Sequence, residues 1–85
     1  MKIFYSSQFA REYKKLPLRI KKIAELREDI FRRNPTNTQL HTHKLQGRLK
    51  GYWAFSIDHQ YRIIFEFAEQ DVVWFHSIGD HSIYN

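Results

Sequence analysis

Hydrophobic and polar residues alternate with two different periods along this chain, and the first half has the period of helices. Residues 2–5 alternate weakly, which predicts a short strand at the start. Ser6 or Ser7 then caps a helix, because a hydroxyl at that position accepts a hydrogen bond from a free backbone amide. The apolar positions of this first helix follow i, i+4 and i+7: Phe9, Tyr13 and Leu16.

A second helix follows with a longer apolar stripe. Pro17 suits its first turn, where a missing amide hydrogen is tolerated. The helix should end near residues 33–34, because Pro35 disfavours a helical residue before it. The two helices therefore predict a hairpin with an apolar inner side. The stripe consists of Ile20, Ile23, Leu26 and Ile30, with Ala24 and Phe31 beside it.

The period changes to two from residue 43 onward, which is typical of strands. Residues 58–60 and 69–71 are plausible turns that separate three such segments. The third segment, residues 72–78, is apolar on both faces, as expected of a central strand. The first segment buries one face, formed by Trp53, Phe55 and Ile57. The second has Tyr61, Ile63, Phe65 and Phe67 on one face and Arg62, Ile64 and Glu66 on the other.

These elements predict an α+β fold. An N-terminal strand and a two-helix hairpin pack on one face of a mainly antiparallel sheet, and residues 1–85 form a single domain. The opposite face of the sheet carries Arg62, while Trp53 and Trp74 are expected in the core rather than as platforms for bases. The predicted core consists of Ile20, Ile23, Ile30, Trp53, Phe55, Ile57, Ile63 and Phe65.

The composition narrows the classes of protein to which the chain can belong. Eighty-five residues allow one small core, and an aromatic content of 16% can fill it. The absence of cysteine excludes a disulfide framework and a thiolate metal site. No segment has the length and apolarity of a secretion signal or a membrane span. We therefore expect a cytoplasmic protein without a membrane partner.

Charge is divided unevenly between the two halves of the chain. Residues 1–50 carry a net charge of +9, whereas residues 51–85 carry −4. This asymmetry indicates a polyanionic partner for the basic half, most often nucleic acid. Five of the cations fit a solvated helix face that can also attract an acidic protein: Lys14, Lys15, Arg19, Lys21 and Lys22.

An arginine within an apolar strand indicates a functional site. Arg62 precedes the apolar residues 63–65, where a charge is costly unless it meets an anion or reaches solvent. Metal-independent RNA cleavage needs a base for the ribose 2′-hydroxyl, cations around the phosphorane and an acid for the leaving oxygen. His43 and His81 suit the proton transfers, and Arg62 suits the phosphate. Lys44, Arg48 and Lys50 are candidates for flanking phosphates, and Tyr84 for stacking on a base or donating its hydroxyl.

Each candidate also has a structural interpretation. Arg62 can pair with Asp58, although Glu66 lies too far along the strand for easy contact. His81 can be an ordinary surface histidine in a C-terminal turn, and Tyr84 can pack against the sheet. His41 and His43 have the spacing of a metal pair, but no third ligand stands near them, so we expect neither a metal nor another cofactor.

Three segments together resemble the RelE/ParE superfamily of bacterial toxins, and most closely its ribonuclease branch, which includes YafQ and YoeB. They are His43-Lys44-Leu45-x-Gly47-x-x-x-Gly51-Tyr52-Trp53, Tyr61-Arg62-Ile63-Ile64-Phe65 and Ile78-Gly79-x-His81-x-x-Tyr84. The resemblance covers essentially the whole chain. It implies the RelE-like fold and a toxin of a type II toxin–antitoxin pair. Such a toxin is a ribosome-dependent, metal-independent mRNA endoribonuclease, an mRNA interferase, whose product ends in a 2′,3′-cyclic phosphate.

The resemblance also implies roles and partners. His43 falls at the position of the base, Arg62 at that of the transition-state arginine, and His81 at that of the acid. Tyr84 falls close to the aromatic residue that often ends these chains, whereas Gln60 replaces an aspartate found in YafQ-like members. The implied partners are a cognate acidic antitoxin, the ribosome and mRNA. The free toxin is expected to be a monomer that forms a hetero-oligomer with the antitoxin.

Two other functions stay open at this point. A ParE-like toxin of the same fold inhibits DNA gyrase through protein contacts and has no nuclease site. A more distant alternative is an inert relic of plasmid maintenance or a nucleic-acid-binding module. The joint presence of His43, Arg62 and His81 favours the nuclease.

Overall fold

The computed structural model describes residues 1–84 and contains a five-stranded sheet with two helices packed on it. The sheet order is β1-β5-β4-β3-β2, in which only the β1–β5 pair is parallel. This confirms the predicted α+β class. The elements are β1 (Lys2–Tyr5), α1 (Ser7–Lys14), α2 (Leu18–Arg33), β2 (His43–Lys44), β3 (Trp53–Ser56), β4 (Arg62–Glu69) and β5 (Val72–Gly79). Short 3-10 turns cover Thr38–Leu40, Gly47–Leu49 and His81–Tyr84.

The helix boundaries follow local capping chemistry. Ser6 caps α1, because its Oγ accepts a hydrogen bond from the amide of Phe9 at 3.0 Å. Pro17 is the N-cap of α2 and lies one position before the first turn in which the sequence placed it. Asn34 caps the other end of α2 in an extended conformation, as expected of a residue before proline. Neither helix within residues 1–84 is long and apolar enough to cross a membrane.

The buried stripe of α2 is rotated relative to its predicted position. Ile20, Ala24 and Phe31 are buried, and Ile23 and Ile30 pack at the margin of the core. The prediction that Leu26 belongs to the stripe is wrong, because 65% of this residue is exposed. Residues 20, 24 and 31 fall within about 40° of one another at 3.6 residues per turn, whereas residue 26 falls about 120° from residue 20.

Phenylalanines form the centre of the core between the helices and the sheet. Phe31 of α2 contacts three sheet rings, with centroid distances of 4.9 Å to Phe55, 4.9 Å to Phe65 and 5.5 Å to Phe75. The predicted core positions Ile57 and Ile63 are also buried. Trp53 is only partly buried, and Phe67 is 43% exposed near the end of β4.

The other face of the sheet, which carries Arg62, is also partly buried. Ala54 and Ile64, which neighbour each other across β3 and β4, are both buried on the face that carries Arg62. The prediction that Trp74 belongs to the core is wrong. Trp74 is partly buried on this second face, where it stacks on Phe4 at a centroid distance of 5.1 Å.

A β-bulge in β5 changes which side chains face the core. Ile64 pairs with Ser77 while the next residue, Phe65, pairs with Phe75, so His76 is the extra residue. Glu12 of α1 binds this irregular segment. Its Oε1 accepts hydrogen bonds from Ser77 Oγ at 2.8 Å and from the Ile78 amide at 3.1 Å.

Candidate active site

Arg62 lies at the start of β4, where it pairs with Ser56 of β3 and Gly79 of β5. Its Nη1 donates hydrogen bonds to the carbonyl oxygens of Asp58, at 2.7 Å, and Tyr61, at 3.1 Å. The Nη2 atom lies 3.3 Å from Nε2 of His81. Backbone oxygens therefore hold one arm of the guanidinium and leave the other arm directed at a histidine.

The turn before β4 fixes the carbonyl oxygens that hold Arg62. The Asp58 carboxylate accepts hydrogen bonds from the amides of Gln60, at 2.9 Å, and Tyr61, at 2.7 Å. This is the local pattern by which aspartate stabilises a turn. The side chain of Asp58 thus shapes the turn, and its backbone oxygen orients Arg62.

The C-terminal turn, His81–Tyr84, presents its side chains to Arg62. Its approach requires a glycine in β5, because a Cβ on Gly79 would lie 2.5 Å from Cγ2 of Ile83. The rings of His81 and Tyr84 meet edge to face, with centroids 5.9 Å apart. Nη2 of Arg48 donates to the Tyr84 carbonyl at 3.3 Å, which ties the end of the turn to the Gly47–Leu49 segment.

Two titratable groups in this turn have shifted pKa values. Burial raises the pKa of the Tyr84 phenol, and the positive charge of Arg62 and a hydrogen bond to it partly offset that effect. The phenol is therefore protonated at neutral pH and can donate a hydrogen bond. Hydrogen bonds from Ser82 hold the pKa of the Asp80 carboxyl below its ordinary value.

His43 lies on the short strand β2, opposite Ala54 of β3. Its Nδ1 is 2.9 Å from the carbonyl oxygen of His41. Because a carbonyl oxygen only accepts, Nδ1 carries a hydrogen, and Nε2 of the neutral ring is left as an acceptor. A histidine in that tautomer can take a proton from a substrate hydroxyl.

His43 and Arg62 line one open cleft of about 460 Å³, which we call the first cleft. β2 and β4 flank β3, so the two side chains come from strands about 9–10 Å apart across the sheet. A phosphodiester lying over β3 can therefore reach both. The remaining residues of the cleft are Arg27, Gln39, His41, Ser56, Ile57, Asp58 and His59.

Sequence reasoning missed the contribution of α2 to this cleft. Arg27 falls on the buried stripe with Ile20 and Ala24, and its Nε donates to the carbonyl oxygen of Ile57 at 3.2 Å. The sequence did contain a signal for Arg27. A cation on the apolar stripe of a helix needs a hydrogen-bond acceptor or an anion, as Arg62 does in its strand.

Comparison with known proteins places the chain in a family. The model of the bacterial toxin of the type II toxin–antitoxin system, YafQ, matches residues 1–84. The chain belongs to the YafQ toxin family. This confirms the predicted membership of the RelE/ParE superfamily and its YafQ/YoeB-like branch. No curated protein sequence matches it.

Solved structures agree with the fold of this YafQ-family toxin. YafQ from E. coli strain BL21(DE3) matches 98% of this chain over 96% of its own, with a TM-score of 0.81 and 22% identity. A YoeB/ParE toxin from Agrobacterium tumefaciens matches 95% of this chain over 99% of its own, with a TM-score of 0.79 and 16% identity. A chain of the E. coli DinJ–YafQ toxin–antitoxin complex matches 96% of this chain over 93% of its own length, with a TM-score of 0.72 and 24% identity.

Within residues 1–84, none of the three predicted phosphate-binding cations (Lys44, Arg48 and Lys50) lines the first cleft of the toxin. Lys44 and Lys50 line a separate groove at the β2 edge together with Trp53 and Phe67. Lys44 Nζ lies 5.5 Å from the centroid of the Trp53 ring. Of the three predicted phosphate-binding cations, only Arg48 contacts the C-terminal turn within residues 1–84.

His41, just before β2, and His43, in β2, do not form part of a larger ligand cluster among residues 1–84. Within the described chain, no three histidine or acidic side chains come together at metal-binding distances. His43 instead uses Nδ1 to bind the backbone of His41.

Proposed function

We propose that this type II toxin is an endoribonuclease that cleaves mRNA on the ribosome without a metal ion. The observation that carries the proposal is the contact between Arg62 and His81, beside a cleft that Arg62 shares with His43. His43 lines the same cleft as Arg62, and His81 contacts Arg62, which supports a set of two proton-transfer groups on either side of a phosphate donor. That set is what cleavage through the ribose 2′-hydroxyl requires.

In the proposed reaction, Nε2 of His43 takes the proton of the 2′-hydroxyl, and the oxygen attacks the adjacent phosphorus. Arg62 donates hydrogen bonds to the non-bridging oxygens as the phosphorane forms. The bond to the 5′-oxygen then breaks, and that oxygen leaves with a proton from His81. The products are a 2′,3′-cyclic phosphate and a 5′-hydroxyl. Tyr84, whose phenol stays protonated, is placed to donate to a phosphate oxygen or to stack on a base.

The Arg62–His81 contact also bears on the order of events. A guanidinium can only donate, so Nε2 of His81 accepts from Arg62 in the free protein. An incoming phosphate offers Arg62 a better acceptor and releases Nε2. His81 can then carry a proton at the atom that faces the leaving oxygen. Substrate binding thereby prepares the acid.

The ribosome supplies the geometry that the open cleft lacks. The first cleft is open, and its arginines come from separate elements, Arg27 from α2 and Arg62 from β4. A free RNA chain in such a cleft is not held with its 2′-oxygen in line with the leaving oxygen. We therefore expect slow cleavage of free RNA and fast cleavage of a message held in the ribosome.

A cognate antitoxin is the proposed protein partner. YafQ of E. coli has been solved in complex with DinJ as a toxin–antitoxin pair. In this chain, the +9 charge of residues 1–50 favours an acidic and partly disordered protein that orders as it binds. The complex is a hetero-oligomer formed from a monomeric toxin, and salt should weaken part of the association.

Substitution of Arg62 tests the reaction directly. Arg62→Ala should lower cleavage of ribosome-bound mRNA by about 10²–10³-fold, because one fixed donor to the phosphorane is lost. Arg33→Ala is the matched control, since Arg33 is exposed on α2 and its Nε donates to the carbonyl oxygen of Asp29 in its own helix. Mapping of mRNA ends after induction gives the readout. Folded Arg62→Ala protein that cleaves at the parental rate would contradict the mechanism.

The same experiment separates the nuclease from a gyrase inhibitor. A nuclease creates new mRNA ends, whereas a toxin acting on gyrase leaves them unchanged. His43→Ala and His81→Ala should each reduce cleavage by about 10²–10⁴-fold as proton-transfer groups. Toxicity that survives all three substitutions without new mRNA ends would exclude the proposed function.

A further inference from the structure

A second cleft of about 530 Å³ opens on the same face of the sheet, on the other side of the C-terminal turn. We call it the second cleft and define it by Tyr52, Ile64, His76, Ile83, Arg11 and Gln8. No step of the proposed reaction uses it. It combines an apolar floor, two aromatic walls and a polar rim to which Ser6, Ser7 and Ser77 also belong.

The floor and walls have the chemistry of a site for a flat ring. Ile64 forms the floor and is 4% exposed. Tyr52 and His76 stand beside it with ring centroids 5.1 Å apart and planes nearly perpendicular. Single-stranded RNA is commonly recognised by unstacked bases that pack against such side chains. A phosphate alone would not need an apolar floor.

The polar groups around the cleft can read the edge of a base. Nε2 of His76 lies 2.7 Å from Oε1 of Glu66, so it carries a hydrogen and donates to the carboxylate. Within residues 1–84, Nδ1 of this ring has no hydrogen-bond partner. Arg11 and Gln8 add donors from the first two turns of α1. An acceptor or donor on a base edge therefore finds a complementary group.

The position of the second cleft indicates which base it takes. Ile83 lines it, and Ile83 belongs to the turn that carries His81 and Tyr84. His43 lines the first cleft, beyond Arg62. In the proposed reaction, His81 protonates the 5′-oxygen of the nucleotide on the 3′ side of the cleaved bond. Ile83 lies two residues after His81 in the same turn, so the second cleft adjoins the group that acts on this nucleotide.

We propose that the second cleft binds the base of the nucleotide immediately 3′ to the cleaved bond and determines base preference there. This inference rests on the proposed nuclease function, because the reaction defines the direction of the RNA. The alternative is that the aromatic residues only stabilise the sheet. Trp74 stacks on His76 and Phe4 stacks on Trp74, so the stacked row continues away from the cleft. A substitution at Phe4 therefore tests for a purely structural effect.

Cleavage of four matched messages tests the proposal. Ribosomes are programmed with mRNAs that differ only in the base 3′ to the scissile bond, and kcat/KM is measured for each. His76→Gln keeps a donor for Glu66 but removes the ring, so the preferred message should lose about 5- to 150-fold and the ranking of bases should flatten. Phe4→Leu, at the far end of the row, should retain the parental ranking. An unchanged ranking in folded His76→Gln protein would overturn the proposal.

A binding measurement separates this proposal from the nuclease proposal. A short 2′-deoxy oligonucleotide, which cannot be cleaved through a 2′-hydroxyl, is titrated into methyl-labelled protein. The methyl resonances of Ile64 and Ile83 should shift in the parental protein and much less in His76→Gln. If the toxin cleaves no message but these methyl groups shift, the nuclease proposal fails and so does the assignment to the 3′ nucleotide, while binding of a base in the second cleft stands. If the shifts fall elsewhere or are absent, the base site fails regardless of cleavage.

Discussion

Replacing Phe65 by alanine removes the side chain on which the sheet and α2 meet. Phe65 is fully buried and packs edge to face against Phe31, at 4.9 Å, and Phe67, at 5.1 Å. Truncating a buried phenylalanine costs about 3–5 kcal/mol. The two edge-to-face contacts add about 0.5–1.5 kcal/mol each beyond burial, so we expect the upper half of that range. A chain of this length has a free energy of unfolding of about 4–13 kcal/mol, so the variant keeps only a small part of it.

Urea unfolding followed by tryptophan fluorescence measures this loss. Phe67→Ala is the matched control, since Phe67 lies on the same face of β4 but is 43% exposed. We expect Phe67→Ala to cost about 1–3 kcal/mol, chiefly its edge contacts with Trp53 and Phe65, which is less than the cost of Phe65→Ala. A Phe65→Ala variant with the midpoint of the parent, or a control that loses as much, would show that the core is packed differently from the structure described.

Three further changes test separate features. Burial and the Glu28 carboxylate raise the pKa of Tyr5 from 10.0 to about 12. The protonated phenol therefore contributes fully to the free energy of unfolding below pH 10, and this contribution is lost as the pH rises to about 12. Tyr5→Phe should flatten the dependence of the urea midpoint on pH in that window, and an unchanged slope would contradict it. Ser6→Ala should cost about 0.5–2 kcal/mol in the same unfolding assay by removing the cap of α1. Asp58→Ala should slow cleavage by about 10²-fold, because the turn that holds Arg62 loses its side-chain hydrogen bonds and Arg62 moves. Asp58→Asn should restore the rate, because its side-chain oxygen still accepts hydrogen bonds from the two amides.

The elements of this fold were predictable because each leaves a local pattern in the sequence. The alternation of apolar and polar residues predicted the strands. A serine hydroxyl and a proline predicted the starts of the helices, and the structure confirms these boundaries to within one or two residues. The orientation of α2 was less predictable. Leu26 and Ile23 are both apolar, and only the three-dimensional packing decides which of two overlapping stripes turns inward.

The candidate site was partly predictable for a related reason. Arg62, His81 and Tyr84 do meet, as their residue types and the family resemblance implied. Arg27 was missed, since it comes from a helix that the sequence assigned to the core. Lys44 was placed near the phosphates from its charge alone, although adjacent residues of a strand point to opposite faces. His43 and Lys44 therefore line different clefts.

The β-bulge in β5 links the core to the candidate site. No local sequence pattern predicts it. The pairing of Phe65 with Phe75, continued without a bulge, would set Ile78 opposite Arg62 and turn its side chain away from the core. The extra residue instead returns Ile78 to the core, where it is 2% exposed, and sets Gly79 opposite Arg62. Because Gly79 has no side chain, Ile83 packs directly upon it, and the turn that follows brings His81 to the guanidinium. The same irregularity that completes the core therefore brings the proposed acid to the proposed phosphate donor.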